Sequence, residues 1–529
     1  MDSYFNSIIE SSNPDWNGFI DRLLSSVEGD WTQYYKENTP TLLLNIFKDE
    51  TIQIYQKLAI VKYINRDNIC CIGPGGTGKS YVISIIKSIC KDNTCLFLAP
   101  TGMAALNMDS ELGRTIHSIF KNGEKSLLAY NWQKCKKSIL KKKEHIKKLL
   151  DNVHTIIFDE FSMIISGLLT TLVKMYSIIY DNDSRYPFSG KQIIFCGDPL
   201  QLPPVKNLED PYLFENLNQR RILEDDDYIV TDDYFKTLFS RDNILHFNHN
   251  FRSNDPVFSE LLFNARSGFN LCDDETTEKC LQLLNTRRRS GENINKNSEY
   301  FDNQLYDIYN DSLKSTLKND IVDEINDKEI NQLISTNPHF IYDRELLCSL
   351  NEFRQINPMV KNPDELYNAI VKYMDSLNGY KKKFIAVVGE RVMLRVNNLD
   401  PKLKNGSLGT ITEIDENKCS IKVNFDNFGE LDVPMNTWTH PEYSYMKVKS
   451  FPLIPAWAIT IHKLQGQSIS SKMFILLNGC DMKNFPHLLY TAISRMTDIN
   501  NLYIIYNGVI VKEHFPVSNI MYDWYINNI

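Results

Sequence analysis

Between Ile72 and Ser80 the chain reads IGPGGTGKS, an apolar strand end running into GxxxxGKS. Glycines at 73, 75, 76 and 78 free the backbone to curl its amides around a polyphosphate, and a helix starting near Lys79 aims its positive end at the same charge. The flanks agree: NICCI before the loop is a short buried strand, and SYVISIIKSIC after it has apolar residues at helical spacing. This pattern predicts a nucleoside triphosphate as ligand, cradled by Gly73, Pro74, Gly75, Gly76, Thr77, Gly78, Lys79 and Ser80.

Two later strands carry the chemistry such a ligand needs. VHTIIFDEFSM ends an apolar run in adjacent carboxylates, Asp159 and Glu160. Alternation at a strand end sends the two in different directions, so that one can hold magnesium while the other polarises an attacking water. Unpaired carboxylates ending a buried strand are costly without such a task. In KQIIFCGDPLQLPPV the apolar stretch Ile193 to Cys196 leads to Gly197, Asp198 and a proline-rich turn holding Gln201. An amide there can donate to a phosphate and accept from water at once, the property of a γ-phosphate sensor. Alone, GDPLQLPP reads equally well as a rigid loop. With the other two strands it belongs to one nucleotide edge, because open parallel sheets gather ligands at the carboxyl ends of their strands.

The elements that must position these groups are bounded by length and composition. A chain of 529 residues predicts three or four domains. No apolar run approaches the roughly 20 residues that span a bilayer. The start MDSYFNSIIESSNPDW lacks the basic opening of a signal peptide and the Arg-rich character of a transit peptide. The expectation is a soluble intracellular protein of nucleus or cytoplasm, without membrane contact. Eleven cysteines occur without CxxC pairs, and Cys70, Cys71 and Cys196 sit in strand-like runs as core thiols, so neither zinc nor disulfides are expected. A net charge of −8 argues against indiscriminate attraction to phosphate backbones and requires any nucleic-acid contact to use a local groove.

The ordered set GPGGTGKS, APTGMAAL (99–106), RTIHSIF (114–120), IIFDEFSM, GDPLQLPPV, NFRSND (250–255), LKNGSLGTI (403–411), ITIHKLQGQS (459–468) and LLYTAISRM (488–496) resembles the superfamily one helicases, specifically the petite integration frequency (Pif) helicases and their RecD-like relatives. The resemblance covers about residues 50–510. It implies an α/β protein with two RecA-like P-loop motor domains, an inserted small antiparallel β-barrel and a short wedge insertion. Its implied ligands are ATP and Mg2+. Lys79 binds the β/γ-phosphates in this scheme, Ser80 and Asp159 the magnesium, Glu160 serves as general base, and Gln201 couples γ-phosphate loss to movement. Gln56 takes the place of the family's adenine-reading glutamine, and Gly466 joins the nucleotide set. Arg252 and Arg495 arrive from the second domain, where an arginine fork suits charge spread over transferring phosphate oxygens.

The implied track is single-stranded and forked duplex DNA, crossing both domains at Thr101, Asn107, His117, Phe120, Asn405, Thr460, His462 and Lys463. Hydroxyls and amides would hold phosphates without reading bases, and Phe120 suits either base stacking or a core position. The family implies movement 5′ to 3′, in replication, repair or recombination. Alternatives are an RNA or RNA–DNA helicase, or a nucleotide-gated binding subunit with little unwinding. A monomer is expected, with a dimer on DNA as the other possibility.

Along the chain, residues 1–48 match no motif, although Trp16, Phe19, Leu23 and Leu24 suggest a helical lead-in. Residues 49–240 form the first motor domain, with a wedge at about 121–152 that carries eight lysines between Lys134 and Lys148. That charge run reads equally as a phosphate grip or a solvated face. Residues 241–385 begin the second motor domain, with a polar insert at about 286–334, and FIYDRELLCSLNEF (340–353) resumes it. Short alternating strands over 386–450 give the barrel. Residues 451–529 complete the second motor domain.

Overall fold

The computed structural model describes residues 2–528 apart from 12–13, 101–113, 117–131, 183–184, 204–227, 344, 357, 359–361, 379–382, 397–398, 401–402, 404–405, 416–419, 427, 440–444 and 466–467. Six strands, β1 (Ile69–Ile72), β2 (Cys95–Ala99), β3 (Arg114–Thr115), β4 (Thr155–Phe158), β5 (Gln192–Gly197) and β6 (Ile244–His246), form one parallel sheet in the order β3-β2-β4-β5-β1-β6. Alternate residues of β1 enter opposite cores: Cys70 and Ile72 pack with Phe158 and Phe195, Ile69 and Cys71 with Ile86 and Phe97. A parallel sheet covered on both faces needs apolar residues at every position, which is why these strands read as continuous runs. Parallel direction also puts the carboxyl ends of β1, β4 and β5 on one edge, where their loops converge.

Residues 1–48 cover this lobe. Helices Asp2–Ile9, Trp16–Ser25 and Thr39–Lys48 pack together over helix Ile54–Ile64. Trp16 stacks on Phe47 with ring centroids 5.3 Å apart, and Phe5 and Phe19 are fully buried beside them. Asp2 pairs with the buried ammonium of Lys62. The lysine-rich stretch forms helix Trp132–Leu150, whose Ile139, Ile146 and Leu150 are buried in the first lobe's core beside helix Ser166–Ile179.

Beyond helix Pro256–Arg266, β7 (Arg288–Arg289) and β8 (Leu313–Thr316) begin a second sheet. The chain then leaves that sheet. β9 (His339–Asp343) pairs antiparallel with β11 (Lys383–Val387), and β10 (Glu345–Leu346), β16 (Asn436–Thr439) and β17 (Lys447–Ser450) form a three-stranded sheet. β12 (Arg391–Leu394), β13 (Leu408–Asp415), β14 (Ser420–Phe425), β15 (Gly429–Pro434) and β18 (Leu453–Pro455) make a five-stranded antiparallel sheet in the order β15-β14-β13-β12-β18. β19 (Ala458–Thr460), β20 (Met473–Leu476) and β21 (Leu502–Ile505) return to complete the second parallel sheet, β19-β8-β20-β21-β7.

Two expectations about organisation are corrected here. Residues 286–334 are not an insert: β8 lies between β19 and β20, with Lys314, Ser315 and Thr316 fully buried. The misreading has a physical cause, since LKST carries its polarity inward. The Lys314 ammonium donates to the Asn310 carbonyl at 2.8 Å and lies over the Tyr309 ring. Nor does 340–353 resume the second motor sheet. Its strand pairs with β11 and packs toward the antiparallel elements, which span 339–455 rather than 386–450. Among the described residues no helix is long and apolar enough to cross a membrane.

Candidate active site

β1 stops at Ile72 and its loop feeds helix Lys79–Ile89 through Gly78, whose φ of 84° is left-handed. Lys79 folds back so that its ammonium donates to the carbonyls of Gly73 at 2.6 Å and Pro74 at 2.7 Å, and the Thr77 hydroxyl donates to Pro74 at 2.9 Å. Burial lowers the Lys79 pKa, and Asp198, Glu160 and Asp159 oppose that shift.

Asp159 directly follows β4 and is 7% exposed. Burial and the adjacent Glu160 charge push its pKa up to about 7, against a hydrogen bond from the Glu160 amide and the charge of Lys79. The two carboxylates are separated by a backbone turn, not by strand alternation: Glu160 takes a left-handed φ of 51°. Glu160 Oε2 then accepts from Gln465 Nε2 at 3.5 Å. Gln201, 3% exposed, donates from Nε2 to Asp198 Oδ2 at 3.4 Å, and its buried Oε1 has no protein partner among the described residues.

Two arginines close the other side. A Cβ placed on Gly75 would meet the Arg252 guanidinium at 2.8 Å and the Arg495 guanidinium at 3.2 Å. Arg252 lies between β6 and helix Pro256–Arg266, and Arg495 follows helix Leu488–Ile493, so both come from beyond the first sheet. Burial first and Arg495 second bring the Arg252 pKa down to about 10. Gln56, Gly75 to Ser80, Asp159, Glu160, Gln201, Arg252 and Arg495 line one cleft of about 1200 Å³. Gly73 and Pro74 are buried beneath it.

A glycine loop at a helix start, two carboxylates, and arginines reaching it from a second lobe thus meet in one cleft. Residues 47–215 match the family described as PIF1-like helicase. Over that stretch, about a third of its length, the chain is similar to the PIF1-like helicases. It is 27% identical over 482 residues to the ATP-dependent DNA helicase Pif1 of Campylobacter jejuni, covering 87% of this chain and 93% of that one. Its fold is similar to the crystal structure of Pif1 helicase from Candida albicans, with a TM-score of 0.64 at 21% identity over 90% of this chain and 98% of the other. It is similar also to Bacteroides Pif1 bound to single-stranded DNA, with a TM-score of 0.62 at 23% identity over 90% and 97%.

Gln56 touches the glycine loop directly: Nε2 donates to the Gly78 carbonyl at 3.4 Å, while Oε1 accepts from the Gln53 amide at 2.9 Å and caps its own helix. The expected track residues are less gathered. Thr460 is buried at the end of β19, His462 is half-buried and Lys463 exposed, and none of the three lines the cleft. Thr101, Asn107, His117, Phe120, Asn405 and Gly466 lie outside the described residues. Sequence reading assigned no task to Phe251, 45% exposed on the cleft wall, or to Gln465 at Glu160. The first was signalled by an aromatic directly before Arg252, the second by an amide directly following ITIHKL.

Proposed function

We propose that this chain is an ATP-dependent DNA helicase that moves 5′ to 3′ on single-stranded DNA and unwinds forked duplexes. The observation that carries the reading is the contact of Arg252 and Arg495 with Gly75, since it makes the cleft complete only when both lobes meet. In this reading Lys79 and the loop amides bind the triphosphate, and Gln201 senses the γ-phosphate by donating to it from Nε2 while its unpartnered Oε1 accepts from the attacking water. Glu160 takes the proton of the attacking water, and the arginine pair stabilises charge on the transferring phosphoryl. Hydrolysis then depends on cleft closure, so the nucleotide state sets the relation of the lobes and drives stepping.

Magnesium fits the donors present. One buried carboxylate, Asp159, and one hydroxyl, Ser80, beside a phosphate loop are the few hard oxygens this ion takes from a protein. Bound there, it would neutralise charge on the phosphate oxygens. The antiparallel strands β12 to β15 and β18 are read as the barrel beside the strand path, with His462 and Lys463 on the track and helix Trp132–Leu150 as part of the wedge.

The decisive test is strand displacement from forks with a 5′ tail, a 3′ tail or no tail, on DNA and on RNA tracks, with and without ATP. ATP-dependent opening of the 5′-tailed DNA fork is expected. Opening only on RNA tracks reassigns the substrate, opening only with a 3′ tail reverses the direction, and ATP hydrolysis indifferent to single strands with no opening leaves a nucleotide-gated binding subunit.

A further inference from the structure

The loop after β5 holds more than Gln201. Asp198 is fully buried, and its carboxylate accepts four hydrogen bonds. Oδ1 accepts from the Leu200 amide at 3.0 Å and Arg266 Nε at 2.8 Å, and Oδ2 from Gln201 Nε2 at 3.4 Å and the Tyr490 hydroxyl at 2.7 Å. Two of these donors belong to its own loop. The other two come from the second lobe: Arg266 ends helix Pro256–Arg266, and Tyr490 lies in helix Leu488–Ile493.

The joint is clamped from a third side. The Arg266 guanidinium lies 4.3 Å from the Tyr525 ring centroid. Tyr525 belongs to the C-terminal helix Asn519–Asn528, which follows the second lobe in the chain yet buries Met521 and Tyr525 in the core of the first. A buried carboxylate with four donors and a matched cation resists bending, because losing any one donor strands charge in a dry interior.

The same helix that carries Tyr490 runs into Ser494 and Arg495, and the Ser494 carbonyl accepts from Arg252. One carboxylate therefore holds the Gln201 amide on one side and the arginine-bearing helix on the other. We propose that Asp198 is a positioning residue that couples Gln201 to Arg495 through Tyr490. This inference rests on reading the cleft as an ATP-hydrolysing site. A shift of the Gln201 loop is passed to the arginine helix through the Asp198–Tyr490 bond instead of dissipating in the loop. A plain weld between lobes would use the same contacts but would affect only stability.

The test uses the full chain, with ATP hydrolysis measured against oligothymidylate, binding of a fluorescent ATP analogue, and assays run well below each variant's melting temperature. Tyr490→Phe removes one donor and little volume. Its stimulated kcat is expected to fall about tenfold or more while the KM for ATP stays within about twofold. Asp198→Asn should show the same split. Combining Tyr490→Phe with Gln201→Ala should be no slower than Gln201→Ala alone, because both act on one path. A lowered melting temperature with unchanged kcat, or losses that multiply in the double variant, overturns the coupling and leaves a weld. If the wild-type chain hydrolyses no ATP in response to the oligonucleotide, the functional reading itself fails and this inference falls with it. Normal stimulation in both wild type and Tyr490→Phe defeats the inference alone.

Discussion

The Arg252 guanidinium donates to the backbone carbonyl of Ser494, so the two arginines that face the phosphate loop are tied through the residue preceding one of them. Arg495 is itself 2% exposed, with its guanidinium donating to the Ser494 hydroxyl at 3.0 Å. Two cations buried side by side repel, and Arg252 feels both the burial and its neighbour as a pKa brought down to about 10. In the proposed reading, a triphosphate between them and Lys79 would relieve that repulsion.

From this pairing, Arg252→Ala and Arg495→Ala should each lower kcat by about 10³-fold. Arg495→Lys should recover little of it, because an ammonium cannot reproduce the planar fork. Steady-state ATP hydrolysis checks both, and near-normal rates for either alanine variant would remove that arginine from the chemistry.

Lys79 and Glu160 should separate binding from turnover. Lys79→Ala removes the charge that the loop carbonyls of Gly73 and Pro74 hold in place, and should abolish both nucleotide binding and hydrolysis. Glu160→Gln keeps size and the approach of Gln465 but loses the proton acceptor, so it should bind ATP normally and stall at about 10² to 10⁴-fold lower kcat. Near-normal rates in both variants, or equal loss of ATP binding in both, would dissolve the proposed division of labour.

What could be read in advance follows from where polarity sits. The nucleotide edge was legible because phosphate chemistry demands particular residues at particular strand ends: Lys79 after glycines, Asp159 and Glu160 after TIIF, Gln201 after IIFCG. The second sheet was only partly legible. MFIL in β20 is a continuous apolar run of the kind a buried parallel strand carries, although no strand was assigned there from the sequence, and LKST in β8 hides one, because Lys314 meets its needs with a local carbonyl and an aromatic face. The Asp198 joint was invisible, since its partners Arg266, Tyr490 and Tyr525 are far away in sequence and each reads alone as an ordinary helix residue. Likewise residues 1–48 carry no motif, and only the meeting of Phe5, Phe19 and Phe47 over helix Ile54–Ile64 reveals their task.

That task makes the N-terminal segment structural. Phe47 is 1% exposed and packs within 6.0 Å of Phe5, Trp16 and Phe19 by ring centroid. Phe47→Ala should destabilise the first lobe by about 3 to 5 kcal/mol. Chemical denaturation should report the loss, with ATP affinity at low temperature retained. A change below about 1 kcal/mol would mean that the three helices are ancillary to the lobe.

Glu390 should make stability depend on pH. It is fully buried, its Oε2 accepts from the Val387 amide at 3.1 Å, and its Oε1 has no hydrogen-bond partner among the described residues. Burial pushes its pKa from 4.5 up to about 8, and the Val387 amide only partly opposes this. Between those two values the folded chain holds a proton that the unfolded chain has released. Stability contributed by this group is thus full below about pH 4.5 and declines as pH rises toward 8, a tenfold difference in proton affinity between the two states being worth about 1.4 kcal/mol. Glu390→Gln stays neutral and can still accept from Val387. It should therefore be more stable than the wild type at pH 8.5 by about 1 to 3 kcal/mol and indistinguishable near pH 4.5. Melting curves across this range decide the matter: a difference between the two chains that does not grow with pH means that Glu390 is ionised and satisfied in the fold.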